Sequence, residues 1–428
     1  MIENLKELLS EKDILLLGFG AEGRSTYSLL QQLKVHKSLG IADMSKTLVA
    51  PEGVALHLGE GYLDSLSNYD LIIKSPGIPL PKSLWEKHRS QLTSQIEIFL
   101  KYYKGRTIGL TGTKGKSSTC SMLYSMLSTL PKKVHFLGNI GLPVLSALER
   151  LSGDDIVLLE LSSHQLHHID SAPDIAILLN FYPEHLEYYG TLEEYRAAKF
   201  SILQKGSEPN VAFVNSELFQ ATEKFHSERN FIWVSPTECD FETPPHLSLT
   251  HQRINAHFAY EVASTFGITK STAAQALKSC KIPPHRTEEV GVFNGIRFIN
   301  DSAATIPEAT IAALQGFPET KTLIVGGFDR GVDLGSLRSL LDQTLHLQII
   351  CIPETGKKLF ESLRNAQPNS ERLHMAKDLE NAVQIAKHVT PTGATCLFSP
   401  SAASYHAYKN FSERGEHFRR LVSESKET

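Results

Sequence analysis

The chain has 428 residues, a formal net charge of −4 and a sequence pI near 6.5, so two or three domains are expected and no basic field exists for wrapping nucleic acid. No apolar run reaches the roughly 20 residues that a membrane span needs. Five cysteines lie far apart without metal-ligand spacing, which is typical of reduced thiols, and we expect a cytoplasmic protein with neither nucleic acid nor membrane as partner.

The N-terminal part of the chain alternates strand and helix patterns. The first predicted strand, residues 14–17, leads into the turn Gly18-Phe19-Gly20-Ala21-Glu22-Gly23 and a helix, a turn of the dinucleotide-fold type. A second strand ends at Asp43, where an acidic side chain can meet a ribose or a base. A third strand, residues 71–73, ends in Ser75-Pro76-Gly77-Ile78. This alternation predicts a parallel sheet.

The next predicted strand, residues 107–110, is followed by Thr111-Gly112-Thr113-Lys114-Gly115-Lys116-Ser117-Ser118-Thr119 and a helix. Small residues in such a loop let backbone N–H groups converge on phosphate oxygens at a helix N-terminus. Lys116 can neutralise phosphate charge, and the Ser117 hydroxyl can ligate Mg²⁺. Leu110 stands where the usual pattern has its first glycine, and Gly112 takes over the tight turn. The stretch predicts an enzyme that uses a nucleoside triphosphate.

Polar residues follow later strands, at the sheet edge where ligands of parallel sheets collect. Glu160 directly follows a buried-type strand and is placed to bind a metal or polarise water near a triphosphate. Glu184 and His185 follow another strand, and Lys199 comes in the next helical pattern. Taken alone, His185 is typical of a helix-cap or surface histidine, and Lys199 is typical of a solvated helix lysine; together with a phosphate loop they favour a site.

A polar segment at residues 282–286 precedes a third set of strands, each followed by a loop and a helical pattern, which predicts another doubly wound sheet. Asp301, Arg330 and Ser404 lie in loops that follow these strands. The Gly326-Gly327 pair lets backbone approach a ligand, and the Arg330 guanidinium suits a carboxylate. The alternative is that these loops are tight turns without a ligand.

The motifs resemble, in order and along nearly the whole chain, those of the Mur ligases, the ATP-dependent amino-acid ligases that build the peptidoglycan stem peptide. Besides the N-terminal turn and the phosphate loop, the matching stretches are residues 75–78, 138–141, 160–163, 195–199, 284–286, 300–302, 409–411 and 414–415. The resemblance implies an α/β protein of three domains. These are an N-terminal Rossmann-like UDP-substrate domain (1–97), a central P-loop ATPase-like domain (98–284) and a C-terminal Rossmann-like domain for amino acid and nucleotide (285–428).

The resemblance also implies the reaction, which is ATP-dependent addition of D-glutamate to UDP-N-acetylmuramoyl-L-alanine through an acyl phosphate in peptidoglycan precursor synthesis. It implies ATP, two Mg²⁺ sites and a CO₂-derived carbamate on Lys199 as cofactors. It further implies that the partners are small molecules only and that the protein is a monomer. Ala303 stands where many D-glutamate-adding members carry lysine, and Arg330 replaces the lysine of the glycine-rich turn. L-Glutamate therefore stays open as the alternative substrate, and a non-catalytic nucleotide-binding regulator is the alternative from another class.

The family's functional residues map onto this chain as follows. The catalytic residues are Lys116, His185 and Lys199. The metal ligands are Ser117, Glu160, His185 and carbamylated Lys199. The residues for ATP are Gly112, Thr113, Lys114, Gly115, Lys116, Ser117, Ser118, Asn255, Arg286 and Asp301. The residues for the UDP substrate are Gly18, Ala21, Glu22, Asp43, Ser75, Pro76, Gly77, Asn139, Ser162 and Gln165. The residues for the incoming amino acid are Arg330, Ser404 and Phe411.

Overall fold

The computed structural model describes residues 1–49, 51, 53–139, 142–237, 239–244, 247–368 and 370–424. The chain forms two compact units, one of Met1–Ser248 with Gln252–Lys281 and one of Leu249–His251 with Ile282–Thr428. The first unit contains two parallel sheets and the second unit one sheet, so the predicted α/β class is confirmed. In this described part of the chain, no helix is long and apolar enough to cross a membrane. The domain boundaries at residues 97 and 284 stay predictions.

The first sheet is parallel, with the strand order β3-β2-β1-β4-β5. Its strands are β1 (Asp13–Leu17), β2 (Ser38–Asp43), β3 (Ala55–Leu58), β4 (Leu71–Lys74) and β5 (Leu92–Thr93). Its helices are α1 (Ile2–Leu9), α2 (Ala21–Leu33), α3 (Lys82–His88), α4 (Gln95–Tyr102) and the 3₁₀ helix Tyr62–Asn68. The apolar run of β1 lies at the centre and is fully buried, as expected for a parallel strand covered on both faces. Strands β3 and β5 were not predicted.

The second sheet is also parallel, with the order β11-β10-β9-β6-β8-β7. Its strands are β6 (Arg106–Thr111), β7 (Val134–Gly138), β8 (Ile156–Glu160), β9 (Ile175–Leu178), β10 (Val211–Asn215) and β11 (Asn230–Val234). Its α-helices are α5 (Lys116–Leu127), α6 (Ser163–Leu166), α7 (Leu186–Tyr189), α8 (Leu192–Phe200), α9 (Thr250–Ser264) and α10 (Lys270–Leu277). Its 3₁₀ helices are Val144–Arg150, Ser201–Leu203, Ser216–Leu218 and Gln220–Phe225. Strand β6, which leads into the phosphate loop, lies between β8 and β9.

The sheet of the second unit has the order β12-β13-β17-β14-β15-β16, with β12 antiparallel to β13 and the other pairs parallel. Its strands are β12 (Glu288–Phe293), β13 (Ile296–Asn300), β14 (Thr320–Gly326), β15 (Gln348–Ile352), β16 (Leu373–Met375) and β17 (Thr395–Phe398). Its helices are α11 (Pro307–Gly316), α12 (Gly335–Gln343), α13 (Thr355–Ala366), α14 (Leu379–Val389) and α15 (Phe411–Ser423). The doubly wound prediction holds for the parallel part, and the antiparallel edge strand was missed.

One apolar core runs through both sheets of the first unit. It includes Phe99 of α4 together with Leu145 and Leu148 of the 3₁₀ helix Val144–Arg150, which contacts both α2 and α4. Polar contacts reinforce the junction, because Gln95 Nε2 donates to Thr26 Oγ1 at 2.6 Å. Full burial of a leucine or phenylalanine side chain contributes about 1.5–3 kcal/mol, so this packing holds the two sheets together.

Candidate active site

The phosphate loop joins β6 to α5 at the carboxyl edge of the second sheet, as predicted. Gly115 caps α5 with φ of 84°, a left-handed conformation that disfavours side chains, and a Cβ there would lie 2.7 Å from Asn255 Oδ1. Asn255, predicted on the adenine side, therefore does lie against this loop. Ser117 and Ser118 are buried in the first turn of α5. The loop thus presents the N-terminus of a helix, which favours anions.

Two lysines converge on the loop backbone. Lys116 Nζ donates to the carbonyls of Gly112 (2.8 Å) and Thr113 (3.1 Å), and Lys199 Nζ donates to the same Gly112 carbonyl at 3.0 Å. Lys199 is only 2% exposed. Burial, followed by the nearby charges of Lys116 and Lys114, holds the pKa of Lys199 well below its ordinary value, although Glu184 acts in the opposite direction. Burial of the Lys199 side chain therefore favours the neutral, nucleophilic form of its amine.

Glu160 ends β8 beside the loop strand and is 1% exposed. Its Oε1 accepts a hydrogen bond from Asn139 Nδ2 at 3.0 Å, whereas its Oε2 is buried without a hydrogen-bond partner. A buried carboxylate oxygen that lacks a partner is costly unless a cation or a donor satisfies it. The Glu160 carboxylate and the Ser117 hydroxyl offer oxygen donors, which suit Mg²⁺, whereas the unmodified Lys199 offers a nitrogen. No group of three His, Cys, Asp or Glu side chains in the described part of the chain could hold a metal ion.

Glu184 and Asn180 support the loop, although neither was assigned to the site from the sequence. Glu184 Oε1 lies 3.1 Å from Lys114 Nζ, and the Asn180 side chain binds the Lys114 backbone through both its oxygen (2.9 Å) and its nitrogen (3.0 Å). Although burial alone would raise it, the charges of Lys114, His185 and Lys116 hold the pKa of Glu184 well below its ordinary range. Both residues follow β9, so their position after a buried strand was the available signal.

His185 caps α7 in a left-handed conformation with φ of 59°. Its Nε2 lies 3.8 Å from Glu184 Oε2, and its ring meets the His164 ring edge to face at 4.8 Å. The contacts of His185 include Glu184, Glu187 and the rings of His164 and Tyr195. Its assignment as a metal ligand stays a prediction.

The N-terminal loops meet at the carboxyl edge of the first sheet. Gly18 has φ of 92°, and a Cβ there would lie 2.7 Å from Ile78 Cγ1, so only glycine fits. Ser75 Oγ donates to the Gly18 carbonyl at 3.0 Å, and Asp43 Oδ2 accepts from the Phe19 N–H at 2.9 Å. The structure therefore brings the first turn, the end of β2 and the Ser75-Pro76-Gly77 turn together.

A buried polar cluster joins the first sheet to α6. Glu22, which follows Ala21 at the start of α2, accepts from Gln165 Nε2 at 2.8 Å through Oε1, while its Oε2 is buried without a partner. Ser162 caps α6 and forms a capping box with Gln165. Burial raises the pKa of Glu22, and burial lowers the pKa of Lys74 to about 8. Lys74 was not anticipated, because it precedes the recognised turn as an ordinary strand residue.

In the second unit, residues predicted for two different ligands lie together. The Arg286 guanidinium stacks over the Phe411 ring at 5.7 Å. Asp301 is buried at the end of β13, where Oδ2 accepts from Ser399 Oγ (2.8 Å) and Oδ1 from the Thr287 N–H (3.1 Å). Asp301 therefore organises the loops after β13 and β17.

The glycine-rich turn after β14 contacts the loop after β17 within the second unit. Phe328 N donates to the Ala403 carbonyl at 3.0 Å, and a Cβ on Gly327 would lie 2.7 Å from that carbonyl oxygen. Arg330 is partly exposed on this turn, and Ser404 is buried next to Ala403. Of the three residues predicted for the amino acid, Arg330 and Ser404 thus lie in loops at the carboxyl edge of this sheet, and Phe411 begins α15. Of the motif at residues 138–141, Ile140 and Gly141 lie outside the described residues.

A Mur ligase middle domain matches residues 110–263, the part of the chain that holds the phosphate loop, Glu160 and Lys199. The whole architecture resembles the MurF ligase from Thermotoga maritima in complex with ADP, with a TM-score of 0.60, 19% identity and coverage of 97% of this chain and 96% of that one. This chain belongs to the Mur ligase family, and the predicted class, a ligase that uses ATP, is confirmed.

Two relatives that are similar in sequence carry the same name. The chain is 31% identical to the UDP-N-acetylmuramoylalanine–D-glutamate ligase of Exiguobacterium sibiricum over 97% of both chains. It is 30% identical to the ligase of the same name from Aquifex aeolicus, over 85% of this chain and 90% of that one.

Proposed function

We propose that this chain joins glutamate to UDP-N-acetylmuramoyl-L-alanine with consumption of ATP, and that D-glutamate is the amino acid used. The observation that carries the substrate assignment is the 31% identity over 97% of both chains to a ligase of that name. The reaction of such a ligase fits the site, where a phosphate loop, a buried carboxylate and a buried lysine of lowered pKa lie at one sheet edge. The choice of D-glutamate over L-glutamate is the more specific part of the proposal, because Ala303 and Arg330 depart from the family pattern.

The proposed reaction must activate a poor electrophile. A carboxylate resists attack by an amine, so the alanyl carboxylate first takes the terminal phosphoryl group of ATP and becomes an acyl phosphate. The glutamate amino group then attacks the acyl carbon, and the tetrahedral adduct collapses to amide and inorganic phosphate. The loop N–H groups and Lys116 stabilise the negative charge that develops on the phosphoryl oxygens. In this proposal, the glycine-rich turn that carries Arg330 would hold the glutamate whose amino group attacks.

The residues of the second sheet fit Mg²⁺. We infer that Glu160 through its unpartnered Oε2, the Ser117 hydroxyl, His185 and carbamylated Lys199 hold it. Bound Mg²⁺ would neutralise phosphate charge and orient the phosphoryl group. In its neutral form the Lys199 amine would attack CO₂, form an N–C bond and release a proton, which would leave an anionic carbamate. This change replaces a potential ammonium, which a metal would repel, with an oxygen ligand.

The carboxyl edge of the first sheet is proposed to bind the uridine diphosphate part of the substrate. Gly18, Asp43 and Ser75 lie together there, with Ala21, Pro76 and Gly77 beside them. Glu22 and Gln165 form a direct link from this edge to α6, next to Ser162. We propose that Asn139, Ser162 and Gln165 orient the muramoyl-alanine arm. Asn255, Arg286 and Asp301 remain the proposed nucleotide contacts, and Arg330, Ser404 and Phe411 the amino-acid contacts.

The test is phosphate release from ATP with UDP-N-acetylmuramoyl-L-alanine, measured in parallel with D-glutamate and L-glutamate at matched concentrations. Release with D-glutamate alone is expected. Release with L-glutamate alone would contradict the D-specific part and leave the ligase reaction intact. Release with neither, in the presence of measurable ATP binding, would favour a nucleotide-binding regulator. Lys116→Met should abolish release, whereas Lys104→Met, an exposed lysine just before β6, should not.

A further inference from the structure

The second sheet carries a pocket of 560 Å³ at its amino-terminal edge, opposite the phosphate loop. Strands β6 and β10 begin at this pocket with Arg106 and Val211, and the segments that follow α5 and α9 complete its wall with Lys132 and Phe266. Small-molecule pockets have volumes of about 300–1,000 Å³, so the cavity has the size of a ligand site. The family reaction uses the other edge of the sheet and leaves this pocket without a role.

The wall of the pocket is mainly apolar, with a cationic contribution. Phe213 is buried, whereas Ile232 is 37% exposed, so the apolar wall opens to solvent. Arg106 and Lys132 are the charged side chains of the wall, and none of its described residues is acidic. Helices α5 and α9 end nearby, and the C-terminal end of each helix carries about half a negative charge. The two full positive charges of Arg106 and Lys132 outweigh these helix-end charges. A ligand with an apolar body and one negative group would therefore match this wall.

The pocket is separate from the proposed active site. Strand β6 runs from Arg106 at the pocket to Thr111 at the phosphate loop, which is about 16 Å at 3.3 Å per residue. Helix α5 spans a similar distance, about 18 Å, between Lys116 and the segment before Lys132. A molecule of ligand size in the pocket therefore does not reach the phosphates, and its binding is measurable with the nucleotide site filled.

We propose that this pocket binds a small amphiphilic anion, with an apolar body against Phe213 and Ile232 and a carboxylate or sulfonate near Lys132 and Arg106. The proposal is independent of the ligase reaction and of the choice of glutamate. The Arg106 guanidinium donates to the Glu208 carbonyl at 2.5 Å, which fixes the cation at the rim. Lys132 is exposed, so it is a better residue to substitute than Arg106.

The test uses two fluorescent probes with the same aromatic body. 1-Anilinonaphthalene-8-sulfonate carries a negative charge, and N-phenyl-1-naphthylamine lacks the sulfonate. Both are titrated into the full chain with saturating ADP present. Ile232→Trp should fill the pocket and lower the affinity for both probes at least about tenfold. Val292→Trp, at an exposed apolar position of the second unit, should leave both affinities unchanged.

Lys132→Glu should weaken the sulfonate probe about fivefold and leave the neutral probe unchanged, because it reverses one charge at a solvent-exposed site. Lys133→Glu is the matched control, since it makes the same change at the neighbouring exposed lysine outside the pocket wall. The proposal is overturned if Ile232→Trp leaves the binding of the probes unchanged. It is equally overturned if Lys132→Glu and Lys133→Glu affect the sulfonate probe alike.

Discussion

Replacing Lys74 with methionine is expected to stabilise the first unit by about 2 kcal/mol at pH 7. Lys74 ends β4, keeps some solvent exposure, and has its ammonium enclosed by protein atoms. Among the described residues, the ammonium donates to two carbonyls, those of Ser75 at 3.3 Å and Pro76 at 3.5 Å. Methionine has a similar length and no charge, so it fills the same space without the cost of desolvating an ammonium.

The magnitude follows from the pKa. Burial lowers the pKa of Lys74 from 10.5 to about 8, with Glu22 acting in the opposite direction. A difference of this size corresponds to about 3 kcal/mol between the two protonation states. The loss of the two long hydrogen bonds offsets about 1 kcal/mol. The remainder is the expected gain in the free energy of unfolding at neutral pH.

The sign of the pH dependence is fixed by the same values. Below pH 8 the lysine is protonated in both the folded and the unfolded chain, and its full cost is present. Between pH 8 and 10.5 the unfolded chain holds more protons, so the stability of the wild type rises with pH. The advantage of Lys74→Met should therefore fall by about 2 kcal/mol between pH 7 and pH 9.5.

Urea unfolding followed by tryptophan fluorescence measures this effect, because both tryptophans of the chain, Trp85 and Trp233, lie in the first unit. Lys104→Met is the control, since an exposed lysine should change the free energy of unfolding by less than about 0.5 kcal/mol. The reasoning is refuted if Lys74→Met is less stable than the wild type at pH 7. An advantage that is equal at pH 7 and pH 9.5 would refute it as well.

Three further predictions concern the proposed reaction. Lys199→Ala should lower phosphate release about 100- to 1,000-fold, with partial rescue by small carboxylic acids but not by bicarbonate; wild-type activity would remove the metal assignment. Glu160→Gln keeps an acceptor for Asn139 but loses the charge, so the Mg²⁺ concentration for half-maximal rate should rise at least about tenfold, and an unchanged Mg²⁺ titration would contradict this. Arg330→Ala should raise KM for glutamate about 10- to 100-fold with kcat retained, which steady-state kinetics would check; an equal loss in kcat would contradict the binding role.

The local parts of the site were predictable because neighbouring residues specify them. The phosphate loop needs small residues, a lysine and a hydroxyl at fixed spacing, and the sequence from Gly112 to Ser117 supplies them. The left-handed Gly115 at the start of α5 agrees with this pattern. Glu160 was found in the same way, because it directly follows the buried apolar residues 156–159 of β8.

Other features depend on contacts between distant parts of the chain. Glu22 and Gln165 are 143 residues apart, so their hydrogen bond and the burial of Lys74 beside them follow only from the way in which the first sheet packs on α6. Strand β3 has exposed and half-exposed residues, which hides the period-two alternation of a strand. Strand β10, in contrast, is a buried apolar run that the sequence signal could have revealed.

The apolar core that joins the first two sheets limits how chains of this family can be recombined. A chimera that exchanges residues 1–97 would place the donor's counterparts of Leu30 and Ile96 in one core with Phe99, Leu145 and Leu148 of the recipient. Poorly matched cores cost about 1–3 kcal/mol for each overpacked position. A crossover at Lys281, where one compact unit ends, avoids that mismatch. The two parallel sheets are therefore best exchanged as one module, whereas the sheet of the second unit is open to independent exchange.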